Sequence, residues 1–394
     1  MKKSDILIRC ARHEDLDALL KLSIMLPPGM TSMPYDRKTW EQKLDKVASS
    51  LTEPPPKNQE GVYQLVMEDT GTGEIVGCAG IISRVGLTSP FYSYKLSTET
   101  KVSEEHGIRR ISTLLNLVND FTGDTELISL FLKPEYRHGR KYAGQFLSRC
   151  RYVFMSDFPE RFSDTVFAEI RGWLDKHSNS PFWQHLGEKF FRLPFPEADF
   201  ISAVKGSQFI TELMPHFPIY KELLPDAAVA VIGKPHDEAM PAMKLLEREG
   251  FSYENTIDIF DGGPVMQCKR ADIASINNTR ACTIKSVVDE HEVAGRGNKK
   301  QHEAPVVCIL SNRQLADYRL VLGPVVFHSG QDAVAGSQET KPSGAKSPGT
   351  KSSGTKPSET KSTETKPLGV TLRCLEADTL GVSEGDTIMA LAIR

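Results

Sequence analysis

Apolar positions recur in two rhythms along the first 270 residues. Leu16, Leu19, Leu20 and Leu22 repeat at helical spacing, which predicts an amphipathic helix over 13–25, after a short strand at 6–9. The runs VYQLVMED (62–69) and EIVGCAGIIS (74–83) flank the turn TGTG and predict a β-hairpin. A second hairpin is expected between ISTLLNLVN (111–119) and ELISLFL (126–132), across DFTGD. Beyond it lie a Pro-containing turn, KPEYR, a basic stretch, HGRKYAGQ, and a helix to about 155. TVFAEIRG (165–172) reads as a strand and SPFWQHLGEKFF (180–191) as a helix. AMPAMKLLERE reads as a helix stopped at Gly250 and followed by a strand.

From 330 to 367 both rhythms stop. Nearly every residue is Ser, Thr, Gly, Pro, Lys or Glu, and lysine returns every fifth position from Lys341 to Lys366. A step of five matches neither a helix nor a strand, and the segment has too little apolar surface to repay ordering, so a disordered insert is expected. Strand-like runs flank it: PVVCILS and YRLVLGPVVF before, and 369–394 after, ending in the turn and strand GVSEGDTIMALAI. The expected organisation is an α/β (α+β) domain over 1–270 and a small β-barrel-like domain over 271–394.

Composition narrows the function classes. At 394 residues the chain allows two to three domains, and the insert reduces that to two. The balance of 48 Lys+Arg against 51 Asp+Glu, a net charge of -3, supplies no basic field for nucleic acid or an anionic membrane. Arg9, Arg12, Glu14, Asp15 and Asp17 interrupt any signal-peptide core, and no run of apolar residues is long enough to span a bilayer. The seven cysteines are scattered and never form a CxxC pair, so neither a disulfide framework nor a zinc site is expected. A cytoplasmic, metal-free protein follows.

The order strand, helix, hairpin, then a strand running through a basic, glycine-bearing loop into a helix is that of a GNAT-like acyl-CoA N-acyltransferase. A CoA pyrophosphate needs backbone N–H groups converging at a helix N-terminus, with small residues and cations nearby. Arg137, Gly139, Arg140, Ala143 and Gly144 supply that mixture, although Lys141 and Tyr142 stand where a tighter glycine turn is common. An ordinary strand-to-helix turn with exposed arginines fits the loop taken alone.

Longer strings are more specific. The chain resembles the arginine N-succinyltransferase family through GMTSMP (29–34), ELISLFLKPEYR (126–137), LSRCR (147–151), AEIRG (168–172) and SPFWQHLGEKFF. The resemblance continues through ADFI (198–201), FITELMPHFPIY (209–220), VIGKPH (231–236) and LEREGFSYENTIDIFDGGP (246–264). It is weaker in the C-terminal β domain and does not include the lysine-repeat insert. The resemblance implies transfer of a succinyl group from succinyl-CoA to the α-amino group of L-arginine, the first step of arginine degradation, with succinyl-CoA as co-substrate and no permanently bound cofactor. It also implies a homo-oligomer.

The family's proton donor falls on His236 and its succinyl-CoA contact on Leu130. A lone histidine in a polar turn is otherwise a surface residue, and Leu130 is otherwise a strand core residue. Arg171 is one cation for the succinyl carboxylate, and Glu169, Asp258 and Asp261 are candidates for the substrate guanidinium, although each could equally pair or cap locally. His177 reads as structural and His216 as a doubtful candidate. Cys150 reads as helix packing, so no acyl-cysteine intermediate is expected. Two rival functions remain: a succinyl- or acetyltransferase acting on ornithine or another amino acid, and a non-catalytic CoA- and arginine-binding regulatory protein.

Overall fold

A computed structural model describes residues 6–27, 29–52, 59–206, 208–289, 304–328 and 367–393. The lysine-repeat insert expected at 330–367 lies outside these residues except for Pro367. The strands are β1 (Ile6–Cys10), β2 (Val62–Asp69), β3 (Glu74–Ile82), β4 (Ser93–Ser103), β5 (Ile108–Val118), β6 (Thr125–Leu132), β7 (Thr165–Glu169) and β8 (Ile219–Tyr220). They continue with β9 (Ser252–Asp258), β10 (Pro264–Lys269), β11 (Arg280–Val288), β12 (Val306–Ser311), β13 (Arg319–His328), β14 (Leu368–Arg373) and β15 (Thr387–Ala392). One continuous sheet carries all of them, in the order β12-β15-β11-β14-β13-β1-β2-β3-β6-β7-β10-β9-β4-β5-β8.

A further pairing of β12 with β13 closes the first five strands into a small barrel. Its interior is Cys282, Ile284, Cys308, Leu310, Val321, Val370, Leu372 and Ile388, side chains small enough to fill a narrow closed sheet. The β1–β13 ladder joins barrel to main sheet.

The main sheet is covered on both faces, which is why β2 and β3 read as near-continuous apolar runs. Helix α4 (Ala143–Asp157) buries Phe146, Leu147, Val153 and Phe154 against Tyr63, Leu65 and Met67. Helices α1 (Leu16–Ile24) and α2 (Arg37–Thr52) place Leu19, Leu22, Trp40 and Leu44 on Val66 and Cys78 of the opposite face. The VYQLVMED/EIVGCAGII hairpin forms as expected, in register from Val62↔Ile82 to Asp69↔Glu74.

The second expected hairpin does not form. β5 pairs along its whole length with β4, from Ser93↔Val118 to Ser103↔Ile108, while β6 enters the sheet between β3 and β7. β6 is buried at most positions and needs a central place, whereas the outer half of β5 is exposed and suits an edge. β4, SYKLSTETKVS, is too polar for its pairing to be legible in advance. The helix expected over 180–191 is two short ones, Pro181–His185 and Gly187–Phe191. Gly187 packs so closely on the Trp183 ring that a Cβ would lie 2.2 Å from it.

Candidate active site

The site begins with a defect in the sheet. Ile128 of β6 faces Gly80 and Phe131 faces Cys78, so two residues, Ser129 and Leu130, stand opposite one on β3. Ser129 adopts φ 56, the left-handed region, at this bulge. On its other side β6 runs parallel to β7 and pairs with it only at Thr125↔Val166 and Glu126↔Phe167. Beyond that point the two strands diverge. A cavity of about 590 Å³ is lined by Leu127–Phe131 of β6, by Ala168–Arg171 at the end of β7, and by the 25–32 segment. Leu130 therefore faces the cavity as well as the core.

The bulge is tied down from below. Lys43 of α2 donates from Nζ to the Ser32 carbonyl and to Ser129 Oγ, both at 3.0 Å, and Ser32 Oγ accepts from Ser129 N–H at 3.1 Å. The GMTSMP segment is thus fixed against β6. Burial pushes the Lys43 ammonium down to about 8, against the raising influence of Cys78 and Glu126.

His236 reaches the cavity rim through a backbone splice. Gly172 bridges Pro235, His236 N–H donates to the Arg171 carbonyl at 2.8 Å, and Trp173 N–H donates to the Lys234 carbonyl at 3.1 Å. VIGKPH is therefore strapped to the end of β7, next to AEIRG. Arg171 Nη2 lies 2.8 Å from His236 Nδ1 and donates to Glu238 Oε2 at 2.7 Å, and Glu238 N–H donates to the same Nδ1 at 3.2 Å. A guanidinium and an amide N–H can only donate. Nδ1 is consequently an acceptor, and the single ring proton sits on Nε2. Burial, and then the adjacent Arg171 charge, hold the imidazole below its ordinary range, which favours the neutral ring.

The floor of the cavity is acidic. Glu126, Glu169, Asp199, Asp258 and Asp261 all line it. Asp261 accepts from Gly172 N–H at 2.6 Å and Gly263 N–H at 2.8 Å, while Asp258 accepts from the Phe260 and Asp261 N–H groups at 2.6 and 2.8 Å. The two glycines of DIFDGGP serve this turn. A Cβ on Gly263 would lie 2.1 Å from the Ile170 carbonyl oxygen. After burial, repulsion from Asp258 is the largest influence on Glu169, so ionising both carboxyls together is disfavoured. Burial first, and mutual repulsion second, push Glu169 and Asp261 well above the carboxylate range. Asp199 rises to about 7, through burial and then Asp258, against a hydrogen bond from Gly29 N–H. Glu126 rises to about 8, through burial and then Glu60 and Asp258, against the attraction of Lys43.

The basic loop is partly helical: KPEYRHG forms α3 (Pro134–Gly139), with Pro134 at its first turn, where the missing N–H is harmless. Arg137 lines the cavity, donating from Nε to the Leu132 carbonyl at 2.7 Å and lying over the Phe131 ring. Arg140 donates to Asp69 at 2.9 Å and stacks over Tyr136. Gly139 ends α3. Gly144 lies in the first turn of α4, where an added Cβ would meet nothing within 4 Å, so the approach to that helix N-terminus is open. Tyr142, the residue before α4, takes φ 70 and contributes no side-chain cap.

Residues 6–275 match the family described as arginine N-succinyltransferase beta subunit. The chain belongs to that family. Over 317 residues it is 37% identical to arginine N-succinyltransferases of Enterobacter sp. (strain 638) and of Citrobacter koseri, covering 80% of this chain and 88% of each relative. A solved structure described as arginine/ornithine succinyltransferase subunit AI from Pseudomonas aeruginosa superimposes with TM-score 0.78 at 30% identity, covering 99% of both chains.

Family membership gives the neighbouring residues their context. The thiol of Cys150 is buried, donates to the Leu147 carbonyl and is pushed up to about 12 by burial, which suits packing and not nucleophilic attack. Among the described residues no histidine lines the cavity, but His236 bonds two of its lining residues, Arg171 and Glu238, and neither His177 nor His216 does so. Five cavity-side groups escaped sequence reasoning: Lys43, Glu126, Arg151, Asp199 and Glu238. Glu126 carried a signal, as a charged residue inside an otherwise apolar strand, and Asp199 lay in the ADFI string. Among the described residues no group of three or more His, Cys, Asp or Glu is arranged to hold a metal ion, and no helix is long and apolar enough to cross a membrane.

Proposed function

We propose that this protein transfers the succinyl group of succinyl-CoA to the α-amino group of L-arginine, releasing N2-succinylarginine and CoA. The observation that carries the reading is one cavity, opened by the divergence of β6 and β7, with a cluster of carboxyls in its wall and with His236 bonded to two of its lining residues, Arg171 and Glu238. A bulged strand diverging from its parallel neighbour, with a helix N-terminus beyond it, is also what a GNAT-like core requires. Residues 1–270 then form the catalytic part and 271–394 the barrel part.

In this reading the donor lies along β6. Backbone groups beside Leu130 meet the pantetheine and thioester, and the pyrophosphate meets the start of α4 near Gly139 and Gly144, with Arg137 and Arg140 as nearby cations. The acceptor guanidinium enters the carboxylate wall, where ionised Glu169, Asp258 and Asp199 would each gain a charge-assisted hydrogen bond. Attack of the neutral amine on the thioester carbonyl forms the amide, and CoA departs as a thiolate that takes up the amine's proton. His236 offers Nε2–H to the developing negative charge on oxygen or sulfur, and because Nδ1 already holds two donors the ring needs no second proton to do so. No step of this sequence is assigned to a metal.

The protein is expected to work in a reducing cytoplasm on these two small molecules, without nucleic acid or membrane, and as a homo-oligomer. Ornithine is the second acceptor to weigh, because the Pseudomonas aeruginosa structure is described for arginine and ornithine together. Thiol release with succinyl-CoA or acetyl-CoA, crossed with arginine, ornithine and lysine, tests the reading. Release is expected with succinyl-CoA and arginine. Saturable CoA binding with no release from any pair would point instead to a regulatory protein.

A further inference from the structure

A succinyl group differs from the unsubstituted acyl groups in carrying a terminal carboxylate, and an anion brought into a closed cavity must meet a cation there. Arg171 already has a carboxylate partner, since its Nη2 donates to Glu238 at 2.7 Å and also lies 2.8 Å from His236 Nδ1. Arg137 is exposed and suits phosphate at the mouth. Lys43 lies deep, but its ammonium is held between Ser32 and Ser129, faces Glu126 and is not part of the cavity lining.

Arg151 is different. It sits on α4 about two turns beyond Gly144, lines the cavity and is 2% exposed. Its guanidinium donates only to neutral acceptors in its own helix, from Nε to the Ser148 carbonyl at 3.1 Å and from Nη2 to Ser148 Oγ at 3.2 Å. Among the described residues Nη1 has no partner, and no carboxylate lies within ion-pair distance of the group. Arg9, less sheltered at 14% exposed, instead grips both Asp15 oxygens at 2.7 and 2.8 Å and Glu68 at 2.8 Å. A sheltered cation without a counter-ion is strongly unfavourable, and a carboxylate delivered by the substrate would relieve it.

We propose that Arg151 receives the terminal carboxylate of the succinyl group and thereby sets the preference for succinyl-CoA over acyl-CoA donors that end in a methyl group. The assignment rests on the acyltransferase reading and deepens it. Among the described residues the carboxyls of the acceptor wall lie outside ion-pair distance of Arg151, so donor anion and acceptor cation have separate partners within one cavity.

The test compares succinyl-CoA with butyryl-CoA, which has the same four-carbon length and no carboxylate, as donors to arginine. Arg151→Gln is expected to lower kcat/KM for succinyl-CoA by about 100-fold and Arg151→Lys by about tenfold, as loss or weakening of a charged hydrogen bond predicts, with little change for butyryl-CoA. Equal losses with both donors, or no loss, would overturn the assignment. Equilibrium binding of the two thioesters without acceptor reads the same contrast when turnover is absent, so failure of the activity and failure of Arg151 are distinguishable. Should the variants not fold, the wild-type protein crystallised with succinyl-CoA decides: a carboxylate about 3 Å from the Arg151 guanidinium supports the assignment, and one on Lys43 or Arg137 overturns it.

Discussion

Two buried acidic sites in this molecule are built in opposite ways. At the joint between α4 and the barrel, Asp157 accepts from Ser311 Oγ at 2.6 Å and Tyr318 Oη at 2.8 Å and stands 3.3 Å from Arg313 Nε. Each partner comes from the barrel side of the chain: both hydroxyls donate to Oδ2, and Oδ1 has the Arg313 charge beside it without a hydrogen bond among the described residues. Its range rises only to about 6, because these donors and Arg313 offset much of the burial. In the cavity, Glu126, Glu169, Asp199 and Asp258 face one another, and their main opposing influences are backbone N–H groups and, for Glu126, Lys43. A fold that gives one carboxylate two hydroxyl donors and an arginine, and leaves a cluster with few counter-charges, is storing binding energy for a cation.

The largest effect is expected at the proposed proton donor. His236→Ala should reduce turnover by about 100-fold, the lower end of what a positioned proton-bearing side chain contributes, with near-normal succinyl-CoA binding. Steady-state rates and calorimetry check it, and unchanged turnover removes His236 from the mechanism. Next come the two acidic sites. Asp258→Asn or Asp199→Asn should raise KM for arginine by about 10- to 100-fold and leave KM for succinyl-CoA alone, since each removes a charged hydrogen bond to the acceptor. Asp157→Asn should do the reverse, costing about 1–3 kcal/mol in chemical denaturation by disturbing buried partners, with both KM values unmoved. If Asp157→Asn weakens arginine binding, or the cavity variants only lower stability, the distinction between the two sites collapses.

Much of this arrangement was legible in the sequence where a residue's requirement is local. The β2–β3 hairpin followed from its turn, the α1 helix from its apolar spacing, and the Gly250 stop from a residue that takes φ 102. His236 and Leu130 were found through long strings resembling a family, and periodicity alone marks neither. What stayed hidden depends on distant partners. β4 is polar by composition and becomes a strand because β5 and β9 flank it. Arg171 could as well meet a ligand as form an ion pair, and only the splice between 172 and 235 reveals that its Nη2 is engaged by His236 and Glu238. Lys43 lies on a helix that also carries exposed polar residues, and Arg151 follows the half-buried Arg149 on α4, so nothing in their spacing marks either as a sheltered cation.

The smallest effect tests the comparison without any mutation. Asp199 and Glu126, at about 7 and 8, are partly protonated near neutrality, whereas ordinary carboxyls are ionised there. A guanidinium favours their ionised forms, so binding must draw their protons off. Affinity should therefore rise with pH between about 6 and 8 and level off above, by up to tenfold per unit for each carboxyl that has to ionise. Arginine itself confuses the measurement, because its α-amine also loses a proton for catalysis. A guanidino acid lacking that amine isolates the wall. Its titration by calorimetry in two buffers of different ionisation enthalpy should show net proton release at pH 7. His236 at the rim adds to the trend: protonated in acid, it would repel the ligand, but its lowered range places that repulsion at lower pH than the carboxyl titration. A flat affinity with no released proton would mean that the cavity carboxyls are already ionised and compensated, as Asp157 is, and that the guanidinium binds elsewhere.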